Sequence, residues 1–255
     1  MPTWDPGQYL KFNEERTRAS RDLCARILLD APARVLDLGC GPGNSTAVLR
    51  ERWPGAALTG LDSSPEMLAR ARATGPAAYW LLADVASWEP EATYDVVFSN
   101  AMVQWLPDPG AQVPRFQAWA APGGCLAVQV PCGNRMRELI QEVAADKRWR
   151  AALAGVATWR ALHEPAYYYD LLAPRAARVD LWSTTYQHVM ESHEALVEWY
   201  AGTGMRPYLD ALPDPADQAA FRDEVLRACR EAYPRAADGK VLLAFPRLFF
   251  VAWNQ

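Results

Sequence analysis

The stretch Asp37-Leu38-Gly39-Cys40-Gly41-Pro42-Gly43-Asn44-Ser45-Thr46 is where this chain most invites a ligand. An apolar run, Val35-Leu36, leads into it and a helical pattern follows, so its glycines sit at a strand-to-helix turn. Glycine lets backbone approach a bound molecule closely, and in a parallel α/β sheet such a turn lies at the carboxyl end of a strand, where ligands bind. The spacing is G-x-G-x-G. It is neither the G-x-G-x-x-G of a dinucleotide turn nor the G-x-x-x-x-G-K-[ST] of a phosphate-binding loop. A tight turn that holds nothing is the competing reading. Carboxylates recur along the same predicted sheet: Asp37 in the first strand, Asp62 at the end of the second and Asp84 at the end of the third. Asp62 could instead cap the helix that starts near Pro65, although Ser63 or Ser64 can do that and leave Asp62 available.

Holding these groups in place requires an ordered alternation of strands and helices. Short β-type runs are predicted at 34–38, 57–61, 77–83, 94–99 and 125–130, with helices at 44–52, 65–73 and 110–121 between them and an amphipathic helix at 10–29 ahead of them. Pro107-Asp108-Pro109 and Pro122-Gly123-Gly124 read as turns. This alternation predicts βαβ units and a parallel sheet. The second half differs, with helices predicted at 137–153 and 218–232 and long aromatic and β-branched runs at 178–188 and 240–253. Those two runs are expected to extend the sheet to seven strands, the last one antiparallel, under a helical cap at its ligand-binding edge. One domain over 1–255 is expected, with a lid helix in 1–30, a cofactor half in 31–131 and a substrate half in 132–255.

The 255 residues are 51% hydrophobic and 22% charged, enough to bury a core and too apolar for disorder. With 26 Lys+Arg against 30 Asp+Glu, the net charge of -4 disfavours nucleic acid and anionic membrane as partners. Lysine occurs only at Lys11, Lys147 and Lys240, so nearly all positive charge is arginine. Cys24, Cys40, Cys125, Cys132 and Cys229 form no C-x-x-C pair, and His163, His188 and His193 have no ligand spacing, so no metal is predicted and a reduced, cytoplasmic protein is expected. No secretory signal is read at the N-terminus, and the apolar run 241–253, broken by Pro246 and Arg247, falls short of the ~20 residues of a membrane span. A monomer is expected.

The D-L-G-C-G-P-G form resembles motif I of class I S-adenosylmethionine-dependent methyltransferases, which implies their doubly wound, mostly parallel, Rossmann-like α/β fold. The likeness goes further. Trp4 to Phe12 with Glu15-Arg16-Thr17-Arg18, Asp37 to Thr46, Gly60 to Pro65, Gln104 to Asp108, Ala127 to Pro131, Gly202 to Pro207 and Leu243 to Phe249 resemble the trans-aconitate 2-methyltransferase family over nearly the whole chain. The second-half segments carry most weight, because methyltransferases share the cofactor half and differ in the substrate half.

The resemblance implies S-adenosyl-L-methionine as cofactor, with Gly39 and Gly41 against it, Asp62 and Ser63 at the ribose, Asp84 and Val85 at the adenine edge, Met67 at the adenine face and Asn100 at the amino end. Tyr9 and Arg16 belong to a segment that looks like a lid. It also implies trans-aconitate as substrate, with Trp4, Trp105, Tyr168, Tyr169, Arg206 and Arg247 around it. Three carboxylates call for fixed cations, and arginine matches planar carboxylate in bidentate fashion. Arg206 lies between a glycine turn and Pro207, and Arg247 interrupts an apolar strand where burial without an anionic partner is costly. Their bland alternatives are a surface helix start and an edge strand. Each aromatic could equally be core. The family's Pro-Asp-Asn after the fifth strand is replaced by Pro131-Cys132-Gly133-Asn134, so the asparagine is kept one residue later or the loop is rearranged.

The implied reaction is an in-line displacement at the sulfonium methyl by a carboxylate that is already ionised, so no general acid or base is expected. Rate should come from holding the oxygen about 3 Å from the methyl carbon in a water-free site. Two alternatives stand beside it: a methyltransferase for another small di- or tricarboxylic acid, and an S-adenosylmethionine-binding protein without activity. A nicotinamide dehydrogenase is disfavoured by the loop spacing.

Overall fold

The computed structural model describes residues 13–156 and 162–255. Seven strands form one sheet in the order β3-β2-β1-β4-β5-β7-β6: β1 Arg34–Leu38, β2 Ala57–Asp62, β3 Tyr79–Leu82, β4 Tyr94–Asn100, β5 Ala120–Pro131, β6 Ala176–Met190 and β7 Val241–Asn254. β1, β2, β3, β4 and β5 run parallel, and β7 pairs antiparallel with β5 from Cys125↔Trp253 to Pro131↔Arg247. The order reverses at β1 and β4, so the crevice beyond their carboxyl ends is the place for a ligand in this topology.

The contacts divide the described chain into two compact units. One comprises residues 13–131, 162–184 and 247–255, the other 132–156 and 185–246. The first is the sheet unit. Its helices are α1 Asn13–Ala25, α2 Asn44–Arg52, α3 Pro65–Thr74, α4 Pro109–Ala118 and α6 Pro165–Leu172. Strands covered on both faces become continuously apolar, which is why Leu36, Val96, Val97, Phe98 and Leu126 are all wholly buried. Helix starts follow local capping: Ser64 Oγ accepts from Met67 N at 3.2 Å ahead of Pro65, and Asp108 accepts from Ala111 N ahead of Pro109. On β7, Phe249 stacks on Trp182 at 4.9 Å and Phe250 on Tyr168 at 5.0 Å, one ring on each face of the strand.

The second unit holds α5 Arg135–Ala145, α7 His193–Ala201, the short α8 Arg206–Asp210 and α9 Pro215–Ala232. Phe221 of α9 is wholly buried between the rings of Trp149 and Tyr208, and Trp149 Nε1 donates to Glu224 at 2.7 Å.

The expected strands and helices are present with shifted boundaries, whereas α6, α7 and α8 occupy stretches to which the sequence pattern assigns no element. Pro122-Gly123-Gly124 does not end the segment before β5 but lies within it. Ala120 already pairs with Tyr94, and the ladder resumes at Cys125↔Val96 after an irregularity that absorbs the three residues. The helix expected at 137–153 starts earlier, at the Asn134 cap, and ends at Ala145 where Asp146 turns to an extended ψ of 147°. The segment 247–255, expected in the substrate half, groups with the sheet unit because β7 is hydrogen-bonded to β5. Among the described residues no helix is long and apolar enough to cross a membrane, and none of the five cysteines is in a disulfide.

Phe250 is wholly buried in the middle of this ladder. Phe250→Ala is expected to cost about 3–5 kcal/mol, the usual range for a core phenylalanine, read as a lower denaturant midpoint.

Candidate cofactor and substrate site

The glycine turn is built by backbone crowding. Gly39 and Cys40 both donate their N–H to the Leu61 carbonyl, at 2.8 and 3.0 Å, which pins the turn to the end of β2. Gly39 has φ +67°, and a Cβ there would lie 2.4 Å from Met102 Cγ, so no other residue fits. Gly41 is the opposite case. Its φ is +53°, a Cβ would meet nothing within 4 Å, and its N–H donates to Asp62 Oδ2 at 2.9 Å. The other Asp62 oxygen accepts from Ser64 N at 2.9 Å, and Ser64 caps α3. Asp62 is therefore free of the capping duty and is held by one backbone bond on each oxygen, with lone pairs left for a ligand's hydroxyls. Ser63 is exposed beside it and Met67 is buried on α3.

Asp37 sits beneath the turn, nearly inaccessible. One oxygen accepts from Ser45 Oγ at 2.7 Å and Thr46 Oγ1 at 2.6 Å, tying β1 to the first turn of α2, while Oδ1 has no partner. Burial pushes its pKa up to about 6, against the pull of the Thr46 and Ser45 hydroxyls and with a further push from the Asp62 charge.

The ends of β3 and β4 complete one side of the crevice. Asp84 is exposed and accepts from Ala86 N at 2.9 Å, while Val85 is buried. This loop is clamped by Arg115 of α4, which donates to the carbonyls of Val85 at 3.1 Å and Ala86 at 3.0 Å, and also to that of Trp88. At the end of β4, Asn100 Oδ1 is buried without a hydrogen-bond partner. The next residue, Ala101, has φ +57° and is the one non-glycine among the described residues in the left-handed region. Its N–H donates to the Gln129 carbonyl at 2.9 Å and its own carbonyl accepts from Gln104 Nε2 at 2.7 Å, so tertiary bonds hold the strained turn at both ends. Trp105 closes the 3-10 turn Val103–Trp105 and is partly exposed.

An open backbone concavity at Gly41, carboxylates at Asp62 and Asp84, and an unsatisfied carbonyl oxygen at Asn100 make a donor-seeking set. It suits a ligand bearing vicinal hydroxyls and an ammonium, and so fits S-adenosylmethionine.

The residues expected at the substrate are distributed unevenly. Arg247 is not on an edge strand: β7 lies between β5 and β6, and the residue is buried, opposite Pro131. Arg206 begins the five-residue α8 and its Nε already donates to both Asp210 oxygens, at 3.0 and 3.3 Å. Tyr168 packs in the core against Phe250, whereas Tyr169, about 100° further round the helix, is half exposed, so the two share no surface. Trp4 and Tyr9 lie outside the described residues, as does the side chain of Arg16. Asn134, the asparagine of the altered loop, caps α5 by accepting from Arg137 N at 3.0 Å and donates to the Tyr200 hydroxyl at 2.7 Å. The role of Arg115 had no sequence signal, because its partners are carbonyls that only the fold collects.

Because the folded state holds the Asp37 proton more tightly than the unfolded chain does, this group's contribution favours the fold below pH 4 and is lost as pH rises to about 6. Asp37→Asn removes the ionisation. Denaturant midpoints of the two proteins are expected to diverge across that window, with the variant gaining relative to the parent as pH rises.

A family model described as a methyltransferase domain matches residues 12–194. Curated relatives named trans-aconitate 2-methyltransferase include those of Azoarcus sp. strain BH72, 50% identical with 99% of each chain covered, and Variovorax paradoxus strain S110, 47% identical with 100% of each covered. Among solved structures, the YcgJ protein of Bacillus subtilis superposes with a TM-score of 0.62 at 11% identity, covering 93% of this chain and 99% of that one. The plantazolicin methyltransferase BpumL, solved with SAH, gives 0.53 at 17% identity over 98% and 91%. The solved structures share the fold, while the curated relatives match end to end, through the second half where methyltransferases diverge. This chain belongs to the trans-aconitate 2-methyltransferase family of S-adenosylmethionine-dependent methyltransferases.

Proposed function

We propose that the protein methylates a carboxylate oxygen of trans-aconitate, giving the monomethyl ester and S-adenosylhomocysteine. The observation that carries this reading is similarity of about half the residues over the full chain to relatives bearing that name. It goes with a single methyltransferase domain, a monomer in the cytoplasm, and a small tricarboxylate in place of any nucleic-acid or membrane partner.

The cofactor supplies an electrophilic methyl group on a positively charged sulfur. In this reading Asp62 accepts from the ribose hydroxyls, Asp84 and Val85 meet the adenine edge, and Asn100 meets the amino end. Arg115 keeps the Asp84 loop in place through its carbonyl bonds. The acceptor carboxylate is an anion at neutral pH, so it needs no proton removed, and the protein's task is to position it and keep water out. A guanidinium paired with the reacting carboxylate would lower its nucleophilicity. Arg247 is therefore assigned to a carboxylate that does not react, its burial sharpening the charge pairing. The assignment of Arg206 to the substrate rests on the resemblance, and it requires exchange of the Asp210 carboxylate for the ligand's.

Mass spectrometry of protein, S-adenosylmethionine and trans-aconitate is expected to show the acid heavier by one methyl group; methylation of related di- or tricarboxylates alone would replace the substrate. Arg247→Met, which keeps the alkyl stem, is expected to raise the KM for trans-aconitate by at least about tenfold, the size of a lost charged hydrogen bond, with the KM for S-adenosylmethionine unmoved. An unchanged KM for the acid would remove Arg247 from the site.

A further inference from the structure

Gln129 lies at the carboxyl end of β5, wholly buried, and neither its Oε1 nor its Nε2 has a hydrogen-bond partner. It is unlike the other buried glutamines. Gln104 Nε2 donates to the Ala101 carbonyl at 2.7 Å and Gln117 Nε2 to that of Leu172 at 3.3 Å, so each of those keeps one end satisfied. A buried amide with both ends unmet is destabilising, and an apolar side chain of similar volume would suit a core better.

The ladder register says what surrounds it. Asn100 is the Cα partner of Gln129 on β4, Phe249 is its partner on β7, and Arg247 is the partner of Pro131, two residues further along β5. Laterally paired residues and those two apart on a strand share a face. Asn100, Gln129 and Arg247 thus stand on one face of the sheet, at the strand ends that flank the crevice. That face carries two uncharged amides as lateral partners and, two residues further along the β5–β7 ladder, one buried arginine.

We propose that Gln129 is the group that orients the reacting carboxylate, donating from Nε2 to the oxygen that does not take the methyl group. This rests on the function proposed above and adds a residue to it. A neutral amide suits the task where arginine does not: it donates to one oxygen without bringing a full positive charge or a bidentate fork, so it fixes the carboxylate's direction while leaving electron density on the other oxygen. Arg247, on the same face, takes a second carboxylate of the same acid. The bond made is between the free oxygen and the methyl carbon, the bond broken is between that carbon and sulfur, the electron pair leaves on sulfur, and no proton moves.

The test is Gln129→Leu in the full-length protein. Expected are a kcat/KM for trans-aconitate lower by about 10- to 100-fold, as for a lost hydrogen bond to a charged group, an unchanged melting shift with S-adenosylhomocysteine alone, and a denaturant midpoint at or above that of the parent. The additional melting shift given by trans-aconitate in the presence of S-adenosylhomocysteine should be lost, and Gln129→Glu should be the more damaging variant. A kcat/KM within about twofold of the parent would overturn the proposal, as would a lower midpoint together with a lost S-adenosylhomocysteine shift, which marks a structural amide. If the parent leaves trans-aconitate unmodified but methylates another acid, the substrate reading fails by itself, and Gln129→Leu is then judged by the same criteria on that acid. A parent that methylates no acid overturns both.

Discussion

Everything at the ligand crevice depends on how closely the glycine turn approaches the end of β4. Met102 packs where a Cβ of residue 39 would have to be, and that contact is possible because residue 39 has none. The Leu61 carbonyl takes two consecutive N–H groups of the same turn, so the ends of β1, β2 and β4 are drawn together by steric fit and backbone hydrogen bonds. From that come the exposed concavity at Gly41, the reach of its N–H to Asp62, and the burial of Asp37 below. Enlarging residue 39 would push Met102 away and separate the strands whose spacing makes the crevice.

The site economises on charge. Asp62, Asp84 and Asn100 present acceptor oxygens at the strand ends, while the strongly buried carboxylate, Asp37, is held by two hydroxyls of α2. Arg247 is buried on the face of the sheet that also carries Asn100 and Gln129, opposite Pro131 near the end of β5. The net charge of -4 does not by itself bar a small anion. Screening confines the field of the net charge to roughly 8–10 Å beyond the surface at ordinary ionic strength, while a buried arginine acts at contact distance.

Much of the fold was legible because its signals are local. The turn between β1 and α2, the Ser64-Pro65 helix start and the aspartates at strand ends depend on neighbours within a few residues, and each lies where the pattern puts it. Less legible were features that depend on distant partners. The aromatic pair Tyr168 and Tyr169 looked alike in sequence, yet one stacks on Phe250 and the other faces solvent, because a helix turns adjacent residues to different sides. Arg206 looked free until α8 brought Asp210 within one turn of it.

The sequence by itself determined the alternation of strands and helices through the first half, the glycine turn and the family, since these rest on periodicity, glycine stereochemistry and motif spacing, all written along the chain. The tertiary structure alone decided which polar groups have partners: that Arg115 gathers three carbonyls of the β3 loop, that Ala101 is held in the left-handed region, and that Gln129 is buried with its amide unmet. The physical reason is that a hydrogen bond or a buried charge is a property of a pair in space, and its partner can lie anywhere in the sequence.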